Sequence, residues 1–288
     1  MIFEKITNLA TIFLVVWTAL SGVCSCALSK EIVLEDPQGD DYGPGSYRYP
    51  DHPVFGQGAF DLREVSLSRQ GDDWVVEVVF DSRIKQTKVF VTQDDRRQLF
   101  IQTADIYFRT AGSGHSQSLP GRGVTFAPGH SWHKAVVLSP VPDLLRQALA
   151  KTTQLANDVY VPLKVKVSGR KLRASVPVEF LGEQKPLGLV VLICGAKFSS
   201  SFELVDRIRG KLAPEGLVMD VLRSSSECRL DDPQGFNCNF TGCNPCGSHP
   251  KVIDLLAPDG VQKDILRAYD SDSGKTAQVP MIELGQLH

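Results

Sequence analysis

The sequence predicts a mainly β protein, an antiparallel β-sandwich with short helical inserts, and three observations predict it. Apolar and polar residues alternate with period two along much of the chain, short polar turns join the clearest alternating runs, and a helical stripe stands out at only two places. Two short helices among roughly ten strand-like runs fit stacked sheets and do not fit alternating β and α units. The 288 residues, 42% hydrophobic and 22% charged, suffice for one large domain with a real core. A formal net charge of −2 with interspersed signs leaves no basic stripe for phosphates, so no nucleic acid is expected as a partner.

The first element is a leader. Lys5 and the terminal amine precede an apolar run from Leu9 to Leu20 interrupted only by Thr11 and Thr18, and small residues follow to Ala27. That stretch is short for a membrane span and has the order of an export signal, assigned to 1–27. Two processing routes remain open. Ser25-x-Ala27 suits cleavage before Leu28, whereas Val23-Cys24-Ser25-Cys26 is similar to a degenerate lipobox that would leave Cys26 lipidated as the first mature residue. Either route puts a single domain, 28–288, in the periplasm, at the cell surface or outside the cell. Any membrane attachment is expected through the lipid alone.

The mature chain opens on the bend "LEDPQGDDYGPGSYRYP", residues 34–50, where Asp36, Asp40 and Asp41 stand among glycines and prolines beside Tyr42, Tyr47 and Tyr49. A hairpin follows: Phe60, Leu62, Val65 and Leu67, a turn at Gln70-Gly71-Asp72-Asp73, then Trp74, Val76, Val78 and Phe80 on one face. "QLFIQTADIYF" reads as one further strand closed by a Gly-rich turn. Ser139 can cap a helix with Leu144, Leu145, Ala148 and Leu149 on one stripe. The strongest alternation predicts a second hairpin, with arms Val159 to Val167 and Leu172 to Phe180 about the turn Ser168-Gly169-Arg170-Lys171. From Gly182 onward a looser tail region is expected, containing the second helix, "VQKDILRAYD", after Gly260.

Five cysteines fall in the mature chain, and Cys228, Cys238, Cys243 and Cys246 crowd one Cys-rich loop at about 228–246. Short thiolate spacing can close a zinc tetrahedron. Export favours disulfides instead, and four cysteines allow three pairings. Cys194 follows the apolar run from Leu189 to Ile193 and reads as a buried free thiol.

"DPQGDDYGPGSYRYPDHPVFGQGAFDL" resembles the opening of the C-terminal, carbohydrate-binding-module-like domain of glucodextranase and of related domains attached to amylopullulanase-type enzymes. The likeness continues in "LFIQTADIYFRT", "LPGRGVTFAPGHSWHKAV", "HPKVIDLLAPDG" and "ILRAYDSDSGKTAQVPMI", and so spans roughly Val33 to Ile282. The resemblance implies a sandwich related to DOMON-type and family 9-like carbohydrate-binding modules, acting as a non-catalytic accessory domain at the cell surface.

Two kinds of site follow. Asp36, Asp40 and Asp41 with nearby carbonyls supply the hard oxygens that a structural Ca2+ prefers, although Asp and Gly also dominate ordinary turns. A sugar asks for an aromatic face and a few fixed polar groups. Tyr42, Tyr47, Tyr49 and Trp132 are the aromatic candidates, and Gln102, Asp105 and Arg122 lie in blocks that match the resembled family. Trp74 shares the parity of Val76, Val78 and Phe80 and belongs to the core. His130 and His133, three apart in extended chain, point to opposite faces and read as hydrogen-bonded or surface residues.

Signatures for a nucleophile elbow, a zincin helix, a P-loop and a dinucleotide loop are all missing from the sequence. The expected partner is a polysaccharide or cell-envelope glycan, with a glycoside hydrolase or an S-layer protein as a further associate. The alternatives are a structural envelope or S-layer-associated protein-interaction domain, a haem-binding DOMON-type redox module and, last, a glycoside hydrolase, whose carboxylate pair is defined by space and not by sequence spacing.

Overall fold

The computed structural model describes residues 32–50, 53–90, 96–110, 114–152, 154–197, 213–222, 240–241, 249–257, 260–270 and 273–286. The expected export signal, residues 1–27, and Cys228, Cys238, Cys243 and Cys246 lie outside the described residues. In chain order the strands are β1 Ile32–Glu35, β2 Leu62–Gln70, β3 Asp73–Phe80, β4 Thr87–Phe90, β5 Arg96–Leu99, β6 Gln102–Arg109, β7 Val124–Phe126, β8 Lys134–Leu138 and β9 Val159–Tyr160. They continue with β10 Lys166–Ser168, β11 Lys171–Pro177, β12 Gly188–Gly195, β13 Val221–Leu222, β14 Phe240–Thr241, β15 Asp254–Leu255, β16 Ala277–Val279 and β17 Ile282–Glu283. Among the described residues three short α-helices interrupt them: α1 Pro142–Leu149, α2 Val178–Leu181 and α3 Val261–Arg267.

Two main sheets result. The first has the order β1-β2-β3-β11-β10, and the second β15-β12-β6-β8-β9, with β17 also paired to β12. Every pairing in the first sheet is antiparallel, as are most in the second. The predicted class, a mainly β antiparallel sandwich with helical inserts, is the fold observed.

The β2–β3 hairpin forms as its alternation dictates. Gln70 faces Asp73 across a two-residue turn, and Gly71 takes φ 60°, a left-handed conformation that glycine adopts without steric cost. Val65, Leu67, Trp74, Val76, Val78 and Phe80 bury one face, joined from β11 by Leu172, Ala174 and Val176. In the second sheet β12 is buried along its whole length. The region after Gly182 therefore supplies a central strand, which corrects the expectation of a looser tail. A continuous apolar run reads as a strand covered on both faces, and "GLVVLICG" is one.

The second predicted hairpin is corrected too. Its first arm is divided: β9 pairs with β8 in the second sheet, the chain crosses over, and only β10 pairs with β11. Pro162, which has no N–H to give a ladder, stands at the crossing, and Leu163, expected in the core, is 70% exposed. The second arm stops at Pro177, after which Val178 and Phe180 lie in α2 and not in a strand. The "QLFIQTADIYF" run is likewise two strands, β5 and β6, broken at Phe100-Ile101.

Helix α1 buries Leu144, Leu145, Ala148 and Leu149 as its stripe requires, with Pro142 in the first turn. Its N-cap is Val141, and Ser139 instead accepts the Val141 N–H on Oγ at 3.2 Å. Cys194 is a buried free thiol, and burial raises its pKa, which removes its reactivity as a thiolate.

Candidate functional site

The bend 36–50 bridges edge strands of the two main sheets. Asp36 follows β1 directly, and its N–H donates to the Arg63 carbonyl of β2 at 3.1 Å. Its Oδ1 accepts the Ala257 N–H at 3.0 Å, just past β15. Gly43 N–H donates to Ile253 O at 2.8 Å. The bend is thus held by the first sheet on one side and by the segment around β15 on the other.

Gln262, near the start of α3 and 2% exposed, locks the arrangement. Its Oε1 accepts the Leu255 N–H at 2.5 Å, while Nε2 donates to the Asp40 carbonyl and, at 3.3 Å, to that of Gly43. One side chain therefore fixes loop, strand and helix together.

Within this frame Asp36, Asp40 and Asp254 each bring a carboxylate oxygen into one group whose members all lie within 4.8 Å of one another. Asp254 is fully buried, with Oδ2 accepting the Leu62 N–H at 2.6 Å and Oδ1 accepting the Leu255 N–H at 2.8 Å. Asp36 is 4% exposed, and its Oδ2 is buried without a hydrogen-bond partner. Asp61 stands nearby, with Oδ2 accepting the Gly39 N–H at 2.8 Å.

The electrostatics are those of crowded anions. Burial first, then Asp40 and Asp61, pushes the Asp36 carboxyl up to about 8. Burial raises Asp61 to about 7, with Asp41 and Asp81 adding to it. Asp254 is raised well above the usual carboxylate range, by burial and then by Asp36 and Asp40. Arg63 offsets the charge on Asp36 and Asp61 only in part. Removing several carboxylates from water with so little counter-charge is costly, and a divalent cation with oxygen ligands reverses the sign of that cost. The donor set is hard oxygen throughout, so it fits Ca2+.

Of the three expected metal ligands, the structure brings together Asp36 and Asp40. It places Asp41 elsewhere: its Oδ2 accepts the Tyr49 hydroxyl, and Asp254 takes the third position. Asp254 had a signal in the sequence, an isolated acid between apolar residues in "KVIDLLAP", as did Asp61 in "GAFDL".

The expected sugar-binding residues divide by burial. Tyr42 and Tyr49 stay partly exposed, their rings edge to face at 5.9 Å between centroids. The other five are core residues, which corrects that expectation for them. Tyr47 is 2% exposed and its hydroxyl donates to Pro250 O at 2.8 Å. Trp132 is fully buried and donates to Gln117 O at 2.7 Å. Gln102 donates to Ala59 O at 2.7 Å. Asp105 on β6 and Arg122 bind each other in the interior. Each buries a polar group that its own fold satisfies, and none is presented to a ligand. His130 and His133 accept backbone N–H groups of Met281 and Thr110 on Nδ1 at 3.0 and 3.2 Å, as hydrogen-bonded histidines.

The two main sheets and the acidic bend pinned between them define a mainly β, sandwich-like protein. Residues 32–281 match the family described as the C-terminal binding module, SLH-like, of glucodextranase, and the chain belongs to that family. The match takes in the first sheet, the second sheet apart from β17, the bend and α3. No curated protein matches the chain. Family membership supports a non-catalytic, carbohydrate-binding role. Among the described residues no helix is long and apolar enough to cross a membrane.

Proposed function

We propose that the chain is an exported, non-catalytic glycan-binding module of the cell envelope, accessory to enzymes that degrade α-glucans, with its opening bend organised by Ca2+. The observation that carries the binding role is the family match over residues 32–281, which coincides with the folded sandwich. The SLH-like character of that family favours the cell envelope as the place of action. The calcium reading rests on the convergence of Asp36, Asp40 and Asp254 and on the buried, unbonded Oδ2 of Asp36. In it, the ion holds the bend while Tyr42 and Tyr49 offer the nearest partly exposed ring faces to a sugar.

Titration of the mature protein with soluble α-glucans and with isolated envelope polysaccharide, in calcium and in chelator, tests the proposal. Saturable binding that weakens in chelator is expected. Failure to bind any glycan, with capture of a protein partner instead, would replace it with the protein-interaction reading.

A further inference from the structure

Where the chain leaves the second sheet after β9, it does not rejoin the first until Lys166, and the gap leaves a groove of about 850 Å³ beside β11. That volume lies in the range of ligand sites. Among the described residues its lining holds Lys164, Lys166 and Arg173 and no Asp or Glu. Tyr160 and the 70% exposed Leu163 give it apolar surface, and Tyr160 is steadied by Phe180 at 5.4 Å between ring centroids.

The charge arrangement is unusual for a sheet edge. Lys166 lies directly opposite Arg173 in the β10–β11 register, a like-charge pair that opposes strand pairing. Glu77, across from it on β3, takes Arg173 Nη1 at 2.9 Å and Lys171 Nζ at 3.3 Å. Among the described residues Lys164 and Lys166 form no ion pair, so a protein of net charge −2 presents two unpaired cations at this groove.

Resting on the glycan-binding reading above, we propose that this groove takes a carboxylate-bearing polysaccharide. Lys164 and Lys166 meet its acid groups, and Tyr160 and Leu163 meet the C–H faces of its rings. The amides of Gln86 and Gln98 reach its hydroxyls. An added peptide strand is the poorer occupant, because Pro140, Pro142 and Pro162 on the walls have no N–H to offer a ladder.

Calorimetric titration of the mature chain with polygalacturonate, amylopectin and poly-L-glutamate tests this. Polygalacturonate should bind best of the three, at least about tenfold more weakly in about 500 mM than in about 50 mM NaCl. Lys164→Glu with Lys166→Glu should lose at least about tenfold in affinity with a melting temperature no lower than the parent's, since both side chains are on the surface and Lys166→Glu faces Arg173 across the β10–β11 pair. Tyr160→Ala should weaken polygalacturonate binding in the same assay. Amylopectin preferred over polygalacturonate, or parental affinity in the double lysine variant, overturns the inference and leaves glycan binding standing. Poly-L-glutamate bound as tightly as polygalacturonate overturns it in favour of an acidic peptide. Binding of neither polysaccharide overturns this inference, while the glycan-binding reading falls only if isolated envelope polysaccharide also fails to bind.

Discussion

Asp105 and Arg122 form an ion pair inside the sandwich, with Arg122 Nε at 2.6 Å from Oδ2 and Nη2 at 3.1 Å from Oδ1 and side chains 0% and 1% exposed. The pair organises its surroundings. Arg122 Nη1 also donates to Pro120 O at 2.9 Å, and Tyr107 accepts the Leu119 N–H at 3.0 Å, so the segment 114–126 is fastened over β6.

Breaking that pair on one side should be costly. Arg122→Met leaves the Asp105 carboxylate buried and unpaired, and chemical denaturation should show a loss of about 3–5 kcal/mol. Asp105→Leu combined with Arg122→Met should recover much of it, because no isolated charge remains. Equal losses in the single and double variants would show that the pair is not the fastening.

Calcium should raise the melting temperature. Saturation to about a hundred times the dissociation constant adds about 2.7 kcal/mol, which for a chain of this size is a rise of more than about 5 °C over the chelated protein. Asp36→Asn should abolish that rise, whereas Asp41→Asn, which alters the Tyr49 hydrogen bond, should retain most of it. Scanning fluorimetry with calcium and with chelator reads both.

The pH dependence has a definite sign. Asp36 and Asp61, folded, titrate near 8 and 7 against an ordinary 3.8, so their protonated forms favour the chelated fold. Their contribution is complete below about 4 and is lost as pH rises toward 8. The chelated protein should therefore lose melting temperature across that interval. Calcium, which needs the carboxylates ionised, should stabilise more at pH 8 than at pH 5. A calcium effect that shrinks with rising pH would remove these acids from the site.

The bend is held as tightly by backbone geometry as by charge. Gly43 has φ 55°, and a Cβ there would stand 2.2 Å from the Tyr47 ring. Gly43→Ala should lower stability by about 1–3 kcal/mol and weaken calcium binding, because the Gly43 contacts to Ile253 and Gln262 position the loop. Gln262→Leu should reduce calcium affinity while leaving the two sheets intact by circular dichroism.

Much of the sandwich was legible in the sequence because period two survives wherever one face is wet, as at Val65 to Leu67 and Trp74 to Phe80. It failed where alternation continued across a change of sheet. Val159 to Val167 keeps one parity through Pro162 although its two halves belong to different layers, and nothing local records the crossing. The acidic bend was legible from Asp36 and Asp40. Asp254 stood out only as an acid among apolar residues, and neither its place beside the bend nor that of Gln262 was legible, since both arrive from the far end of the chain through pairings that only the folded topology creates. Polar residues inside strands, such as Gln102 and Asp105, look alike in sequence whether they meet a ligand or each other.

Recognition without transformation is the central claim, and one sample can test it. The mature protein is dialysed to equilibrium against a fluorescent α-glucan and an envelope polysaccharide in calcium, and bound label and newly formed reducing ends are measured together. The account predicts saturable retention of label with reducing ends at the level of the protein-free control. Reducing ends that accumulate with time, or label that distributes evenly for every glycan, would contradict it.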